Sequence, residues 1–133
     1  MKIAVLGASG KIGALVVARL CEAGHQVTVI SRDPAGLQGL DTRIQVSQGD
    51  LNDVVAMTAV LASAVRVISV AHAKFTKDLL AALPGDCSVV LIGSVRKYTR
   101  LVDPAADDVR AGEAAFLDWL ANGGAGVMVH PSM

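Results

Sequence analysis

Short apolar runs typical of buried strands alternate with helical periodicity along the whole chain, and this alternation constrains the fold more than any other feature. Four of the predicted strands span residues 2–6, 26–30, 65–70 and 88–92, and two more begin at residues 43 and 126. Strands that alternate with helices at this spacing require right-handed crossovers and therefore form a parallel sheet. The sequence predicts one α/β domain over residues 1–133, with a doubly wound parallel sheet of the Rossmann type.

The apolar positions also predict how these elements pack. A parallel sheet is normally covered on both faces, which explains strands with unbroken apolar sequences such as residues 88–92. Gly24 is expected to end the first helix, and Asn52 or Asp53 to cap the second. The third helix is predicted at residues 74–83. The predicted buried face of the first helix consists of Ile12, Leu15, Val16, Leu20 and Ala23.

Composition excludes several classes of protein. Hydrophobic residues make up 53% of the chain and charged residues 18%, which excludes a disordered chain. The 12 basic and 12 acidic residues cancel and aromatic residues make up only 3%, so we expect no nucleic-acid binding and no polybasic membrane anchor. No apolar segment reaches the length of a transmembrane helix. Cys21 and Cys87 form no disulfide framework, which favours a cytoplasmic location, and the histidines show no spacing typical of metal ligands.

The strongest motif is a glycine-rich loop between the first predicted strand and the first predicted helix. Its spacing is G-x-x-G-x-x-G: Gly7 allows a tight turn, Gly10 lets the backbone approach a diphosphate, and Gly13 lets the helix lie close to the strand. The free N–H groups of the helix N-terminus favour phosphate. The alternative is an ordinary glycine-rich turn. The predicted binding residues of this loop are Gly7, Ser9, Gly10, Lys11, Ile12 and Gly13.

The end of the second strand bears on the choice between NAD and NADP. NAD-binding domains usually carry an acidic residue there, which binds the ribose hydroxyls. In this chain the segment reads Ser31-Arg32-Asp33, with Ser31 at the usual acidic position. A guanidinium beside a hydroxyl suits a 2′-phosphate, so Ser31 and Arg32 favour NADP. Arg32 could instead be a solvated loop charge, and Asp33 could contact the ribose, so NAD stays possible.

The segments GASGKIG, ISRDP and QGDLND together resemble the atypical short-chain dehydrogenase/reductase family, in particular its NmrA-like, NAD(P)-binding branch. The resemblance covers nearly the whole chain. It implies that Asp50 and Leu51 line an adenine pocket, and that Ala71 and His72 follow the fourth strand where the chain passes the cofactor ribose. Asp50 could also cap a helix, and His72 could be an ordinary residue of a surface loop.

The same resemblance implies where chemistry would occur. Ser94, after the fifth strand, would lie near the nicotinamide and orient a carbonyl substrate. The backbone near Pro131 would pass the carboxamide, with His130 in place of the family's usual arginine. Residues 95–100 are basic and contain Tyr98, which could supply a proton from a second loop. That stretch could equally be a solvated loop.

The sequence departs from the family pattern in its proton-transfer residues. Typical short-chain dehydrogenases use Tyr-x-x-x-Lys, and the chain contains no such pair. Counted back from Glu113, Ala106 and Arg110 stand at the tyrosine and lysine positions. Members of the family also usually continue for about a hundred residues beyond the proline segment and build the substrate pocket there. We therefore expect either a truncated form or a fragment of a longer protein, or a chain in which substrate binding is missing.

These observations predict an NAD(P)-binding, oxidoreductase-like protein. If it is active, hydride would pass from NADPH to a small acceptor such as a quinone, a flavin or a carbonyl compound. The alternative is a non-catalytic protein that senses NADP and regulates or accompanies a partner. The expected ligand is a dinucleotide, and no metal is expected.

Overall fold

The computed structural model describes residues 1–37, 43–93 and 104–130. The strands are β1 (Lys2–Leu6), β2 (Gln26–Ser31), β3 (Gln45–Gln48), β4 (Arg66–Ser69), β5 (Ser88–Ile92) and β6 (Ala125–Val129). The α-helices are α1 (Lys11–Glu22), α2 (Val54–Leu61), α3 (Thr76–Ala82) and α4 (Pro104–Ala121). Two short 3-10 turns, Pro34–Leu37 and Ala73–Phe75, follow β2 and β4.

All six strands lie in one parallel sheet in the order β3-β2-β1-β4-β5-β6. This is the strand order of doubly wound nucleotide-binding domains, so the predicted Rossmann-type fold is confirmed. β1 lies at the centre, where Leu6 is in register with Ile30 of β2 on one side and with Ser69 of β4 on the other.

The sheet separates two apolar clusters. On one face, Val17 and Cys21 of α1 pack against alternate residues of β1 and β2. On the other face, α2, α3 and α4 cover the sheet from β2 to β6. Buried residues of this larger cluster include Leu6, Ile30, Met57, Leu61, Val67, Leu79, Val89, Leu91 and Phe116. The chain therefore crosses from one face of the sheet to the other after β3, as a doubly wound topology requires.

The expectation that both faces of the sheet are covered is wrong for β5 and β6. Leu91 of β5 is buried under the helices, whereas its neighbours Val90 and Ile92 point to the opposite face and are only partly buried. In β6, Val127 is 51% and Val129 is 46% exposed. The reason is that α1 covers only β1 and β2, and none of the described helices lies over this face of β5 and β6.

The predicted buried face of α1 is wrong in part, although Leu20 does pack against the apolar cluster on this side of the sheet. The residues that face the sheet are Gly13, Val17 and Cys21, whereas Ile12 is 52% and Leu15 is 66% exposed. A Cβ atom at Gly13 would overlap the Gly7 carbonyl oxygen and would lie 2.6 Å from the Ala8 Cα atom. The close approach at Gly13 therefore fixes the rotation of the helix, and this rotation leaves larger apolar side chains outside.

The predicted helix signals agree with the structure. Gly24 has φ +84°, and the adjacent His25 N–H donates to the Leu20 carbonyl at 3.1 Å, which closes α1. Asp53 is the N-cap of α2, since its Oδ1 accepts a hydrogen bond from Ala56 N at 3.1 Å. β3 begins two residues later than predicted, and the start of the third predicted helix is the 3-10 turn before α3.

Two properties of the described ranges bear on function. None of their helices is both long and apolar enough to cross a membrane. Within the same ranges no group of three His, Cys, Asp or Glu residues is arranged to hold a metal ion.

Cys21 and Cys87 are both buried. Burial, reinforced by the negative charge of Asp86, raises the pKa of the Cys87 thiol and makes it a weak nucleophile.

Candidate functional site

The candidate site lies at the centre of the sheet, where β1 and β4 are neighbours. The chain leaves β1 toward α1 on one face and leaves β4 toward α3 on the other face. This reversal opens a crevice outside the carboxyl ends of the strands, where ligands bind in open parallel sheets. A cleft of about 350 Å³ occupies this position. Its lining consists of Gly7, Ala8, Ser9, Ile30, Ser31, Arg32, Asp33, Leu51, Ala71, His72 and Phe75.

The cleft brings together predicted site residues from four separate segments. Those that line it are Gly7, Ser9, Ser31, Arg32, Leu51, Ala71 and His72. The other predicted residues of the glycine-rich loop, Gly10, Lys11, Ile12 and Gly13, lie at or just inside the start of α1, and together with Asp50 they do not line the cleft. Ser94, Tyr98 and Pro131 lie outside the described residues, as does the basic stretch at 95–100.

Gly7 and Gly13 are required by the packing of the protein itself. Gly7 has φ +84°, and a Cβ atom there would lie 2.6 Å from the backbone nitrogen of Ala71 at the end of β4. At Gly13 the absence of a side chain lets α1 lie against the turn at Gly7. Both glycines hold β1, α1 and the end of β4 close together, and so shape the wall of the cleft.

Gly10 has no such role within the protein. A Cβ atom at Gly10 would meet only the Gly7 carbonyl oxygen, at 3.8 Å, so the position borders open space. Gly10 is the N-cap of α1, and the first turn of this helix contains no acidic residue. The unpaired N–H groups of a helix N-terminus attract phosphate, and a missing side chain lets phosphate approach them. The loop therefore fits a diphosphate.

The β2 side of the cleft carries one positive charge. The Ser31 hydroxyl is engaged with the backbone of Asp33, at 3.1 Å from its oxygen and 3.2 Å from its nitrogen. The Asp33 carboxylate accepts a hydrogen bond from Ala35 N at 3.0 Å and so starts the 3-10 turn. The Arg32 side chain is exposed, and its guanidinium makes no hydrogen bond or ion pair with any residue in the described ranges.

The β4 side of the cleft is formed by the chain between β4 and α3. His72 is the N-cap of the 3-10 turn, and its Nδ1 accepts a hydrogen bond from Lys74 N at 3.1 Å. Phe75 adds an apolar ring to the lining, and the Lys74 ammonium lies 5.1 Å from the centre of that ring. The turn rests on α4, because a Cβ atom at Gly112 would overlap the Ala73 carbonyl oxygen.

The third wall comes from the segment after β3. Leu51 is 8% exposed and presents its side chain to both the cleft and the larger apolar cluster. The Asp50 Oδ1 accepts a hydrogen bond from Asn52 N at 2.9 Å, and its carbonyl accepts one from Asp53 N at 3.0 Å. Asp50 therefore builds the turn that presents Leu51, but it does not cap a helix, since the cap of α2 is Asp53.

Sequence reasoning missed three apolar residues of the cleft: Ala8, inside the glycine-rich loop, and the more distant Ile30 and Phe75. Ile30 is the last residue of the predicted second strand, and Phe75 lies in the connection that follows the predicted fourth strand. Because a parallel sheet carries its ligand site at that edge, their position was an available signal. Their apolar character suggested core residues instead.

A second polar cluster lies at the carboxyl ends of β5 and β6. Glu113 of α4 is 5% exposed, and its Oε1 lies 3.1 Å from Nε2 of His130, which directly follows β6. A Cβ atom at Gly93 would lie 2.5 Å from the His130 ring and 2.8 Å from the same carboxylate oxygen. The absence of a side chain at Gly93 therefore makes room for this pair, immediately before Ser94 in the sequence.

The positions where the family pattern has tyrosine and lysine are poorly placed for proton transfer in this chain. Ala106 is 0% exposed and lies in the interior of the protein. Arg110 forms an ion pair with Asp107 on the same helix, at 2.9 Å. A side chain at position 106 would begin inside the core, so α4 carries no proton-transferring pair of the usual kind.

Comparison with protein families identifies the family of the chain. The sequence model of the NAD(P)H-binding family matches residues 7–108, from the glycine-rich loop into α4. The chain belongs to this NAD(P)H-binding family. The match spans most of the chain and includes every residue that lines the cleft.

Solved structures with the same fold include an NAD(P)-binding family protein, an epimerase in complex with NAD and an NADPH-dependent oxidoreductase. A Rossmann-fold NAD(P)-binding family protein from Shigella flexneri has a TM-score of 0.80 and 19% identity, over 98% of this chain and 66% of that chain. UDP-glucose 4-epimerase from Brucella ovis in complex with NAD has a TM-score of 0.80 and 18% identity, over 97% and 51%. An NADPH-dependent quinone oxidoreductase from Escherichia coli has a TM-score of 0.73 and 22% identity, over 95% and 46%.

At these identities the similarity establishes the fold alone. The chain spans between about half and two thirds of the length of the Shigella and Brucella proteins, and less than half of the Escherichia coli oxidoreductase. No curated protein sequence matches it significantly.

Proposed function

We propose that the cleft between the ends of β1, β2 and β4 binds NADP(H), with residues 1–133 forming one dinucleotide-binding domain. The observation that carries the proposal is the glycine at position 10, which no contact within the protein requires and which leaves open space at the N-terminus of α1. Gly7, Ser9, Gly10 and the first turn of α1, including Lys11, would hold the diphosphate. Membership in the NAD(P)H-binding family supports the same ligand.

The β2 side of the cleft favours NADP over NAD. A ribose 2′-hydroxyl is usually bound by a carboxylate, but the Asp33 carboxylate is engaged with the backbone of the 3-10 turn. Arg32 offers a guanidinium to the cleft, and guanidinium groups bind phosphate through paired hydrogen bonds. Leu51 and Phe75 line the cleft and would supply apolar surface for an adenine ring. Ala71 and His72 line it too and would face the ribose and diphosphate.

The reaction we propose is hydride transfer from NADPH to a small acceptor, in a chain of the NmrA-like branch. A bound NADPH supplies the hydride, and the protein supplies binding and orientation. Ser94 and the backbone near Pro131 would orient the nicotinamide end, and Tyr98 is the candidate proton donor. The Escherichia coli neighbour, an NADPH-dependent quinone oxidoreductase, makes a quinone the first acceptor to test. A cytoplasmic location suits this chemistry, because NADPH is an intracellular reductant.

A non-catalytic NADP-binding role is the second candidate. It is favoured by Ala106. This alanine is buried and stands at the position where the resemblance would have a proton-donating tyrosine. General acid catalysis commonly contributes about 10²–10⁴-fold to a rate, so carbonyl reduction would suffer most. Reduction of quinones or flavins depends less on a protein acid. The two candidates therefore differ in whether bound NADPH is oxidised at all.

The test of dinucleotide binding is the replacement of Gly10 by valine. In this variant we expect NADP affinity to fall by at least about a hundredfold while the unfolding midpoint changes little, because the new side chain would fill the phosphate approach without meeting protein atoms. The matched control is Gly85→Val, since Gly85 also borders open space but lies at the turn before β5. Calorimetric titration with NADP⁺ measures both. If Gly10→Val binds as tightly as the parent, the site assignment is wrong.

Turnover separates the two candidate functions. Purified protein is incubated with NADPH and a quinone, a flavin or an aldehyde, and loss of NADPH absorbance is followed. Saturable oxidation that is lost in Ser94→Ala supports the oxidoreductase. Tight NADP binding without oxidation of any acceptor supports the sensing role.

A further inference from the structure

We propose that His72 donates a hydrogen bond from Nε2 to an oxygen atom of the bound dinucleotide, and that the 3-10 turn after β4 locks the ring in the tautomer that allows this. The inference rests on the proposed function, because it assigns an atom of the same cleft to the same ligand. It goes further by fixing which ring nitrogen donates and what kind of ligand atom it meets.

The tautomer follows from one hydrogen bond. His72 Nδ1 lies 3.1 Å from the backbone nitrogen of Lys74, and that N–H group can only donate. Nδ1 therefore acts as an acceptor and carries no proton. A neutral imidazole has a single ring proton, so this proton lies on Nε2. His72 is thereby a directional donor and cannot use Nε2 as an acceptor.

The ring is held in place by the elements around it. Its Nδ1 caps the Ala73–Phe75 turn, and the Ala73 carbonyl packs against Gly112 of α4 so closely that a Cβ atom there would overlap it. The Lys74 ammonium lies over the Phe75 ring at 5.1 Å and adds a further contact within the turn. A donor that is fixed before the ligand arrives loses little conformational freedom on binding, which strengthens its hydrogen bond.

The surroundings indicate what the donor meets. His72 lines the cleft together with Gly7 and Ser9 of the glycine-rich loop, and in the described part of the chain its ring has no hydrogen bond other than that to Lys74. A neutral N–H donor at this position suits a ribose hydroxyl or a phosphate oxygen. This interaction differs from that of Arg32, which acts by charge from the β2 side. His72 should therefore contribute to NADP and NAD equally.

The first test is nitrogen NMR of the histidine ring in the unmodified protein. We expect the His72 Nε2 resonance to be that of a protonated ring nitrogen and the Nδ1 resonance that of an unprotonated one, before and after NADP⁺ is added. Saturation with NADP⁺ should shift the Nε2 proton resonance downfield, as a new hydrogen bond does. An Nδ1-protonated ring, or an Nε2 resonance that does not move, overturns the inference.

The second test is His72→Asn, which removes the Nε2 donor and keeps an acceptor for the Lys74 N–H, since asparagine is a good N-cap residue. We expect NADP⁺ and NAD⁺ to lose affinity by a similar factor of about three- to tenfold, the value of one hydrogen bond. His25→Asn is the control, because His25 precedes β2 at the opposite end of the sheet. Unchanged affinity in His72→Asn overturns the inference.

Failure of this inference can be distinguished from failure of the proposed function. If Gly10→Val loses NADP⁺ binding but His72→Asn does not, the cleft binds the dinucleotide without His72. If Gly10→Val binds normally, the proposed site is wrong and the assignment to His72 is wrong with it.

Discussion

The central pair of strands, β1 and β2, and the outer pair, β5 and β6, differ in how they are covered, and the less covered outer pair has the more apolar sequence. In β1 and β2, buried residues follow one another almost without a break, because α1 covers one face and the other helices cover the opposite face. In β5, buried and partly buried residues alternate, and β6 is mostly exposed. A run of apolar residues therefore predicts a strand but does not predict how many of its faces are covered.

The carboxyl ends of the two pairs differ in the same way. The end of β1 carries a backbone cradle that is shaped by close contacts between main-chain atoms, as at Gly7 and Ala71. The ends of β5 and β6 carry a side-chain pair, Glu113 and His130, beside Gly93. The first arrangement depends on fixed main-chain contacts and suits the diphosphate, which is the same in NAD and NADP. The second depends on two side chains, one of which is half exposed, and can adapt more easily.

The largest effect that tests this comparison is expected from alanine at Gly7 and at Gly93. In Gly7→Ala the new Cβ atom meets backbone, and the residue must keep φ +84°, so strain of about 1–2 kcal/mol adds to overpacking of about 1–3 kcal/mol. In Gly93→Ala the nearest atoms are side-chain atoms of His130 and Glu113, and the histidine ring can rotate away. That loss should be about 1 kcal/mol, the value of one hydrogen bond.

Urea unfolding measures both variants, and NADP⁺ titration accompanies it. Gly7→Ala should also weaken dinucleotide binding more than Gly93→Ala does, because it moves the wall of the cleft at the proposed diphosphate, whereas Gly93 adjoins only the proposed nicotinamide end. Equal destabilisation by the two substitutions would contradict the distinction between a backbone cradle and an adaptable side-chain pair.

A smaller effect is expected from identical substitutions in neighbouring strands. Val89 of β5 is 1% exposed and lies in the larger apolar cluster, whereas Val127 of β6 is 51% exposed on the open face. Val89→Ala should cost about 1.5–3 kcal/mol of unfolding free energy, and Val127→Ala no more than about 0.5 kcal/mol.

Thermal or urea denaturation of the two variants provides the measurement. If Val127→Ala were as costly as Val89→Ala, the open face of β6 would have to be covered in solution. The difference in coverage between the central and outer strands would then hold only for a single chain without a partner on that face.

The sequence was sufficient for the order and type of the elements, because strand runs and helix ends have local causes. β1 and β5 have the predicted bounds, Gly24 ends α1, and Asp53 caps α2. It also predicted most of the residues that line the cleft, because the carboxyl ends of parallel strands lie at one edge of the sheet. The rotation of α1 was not predictable from apolar periodicity, because the close approach at Gly13 outweighs the burial of Ile12 and Leu15. The contact between Glu113 and His130 joins residues from different elements, and no local pattern encodes it.

The last prediction concerns the charge that distinguishes the two sides of the cleft. Arg32→Ala should weaken NADP binding by about tenfold or more and leave NAD affinity within about twofold. The reason is that a hydrogen bond to a charged group contributes about 1.5–3 kcal/mol, and about 1.4 kcal/mol is a factor of ten. The contribution of His72, a neutral donor, should be the same for both cofactors. Calorimetric titration of both ligands against Arg32→Ala, with the exposed Lys77→Ala as the control for loss of one positive charge, separates these roles. A similar loss for NADP and NAD in Arg32→Ala would mean that Arg32 acts through the shape of the turn after β2, and the preference for NADP would then have no structural basis.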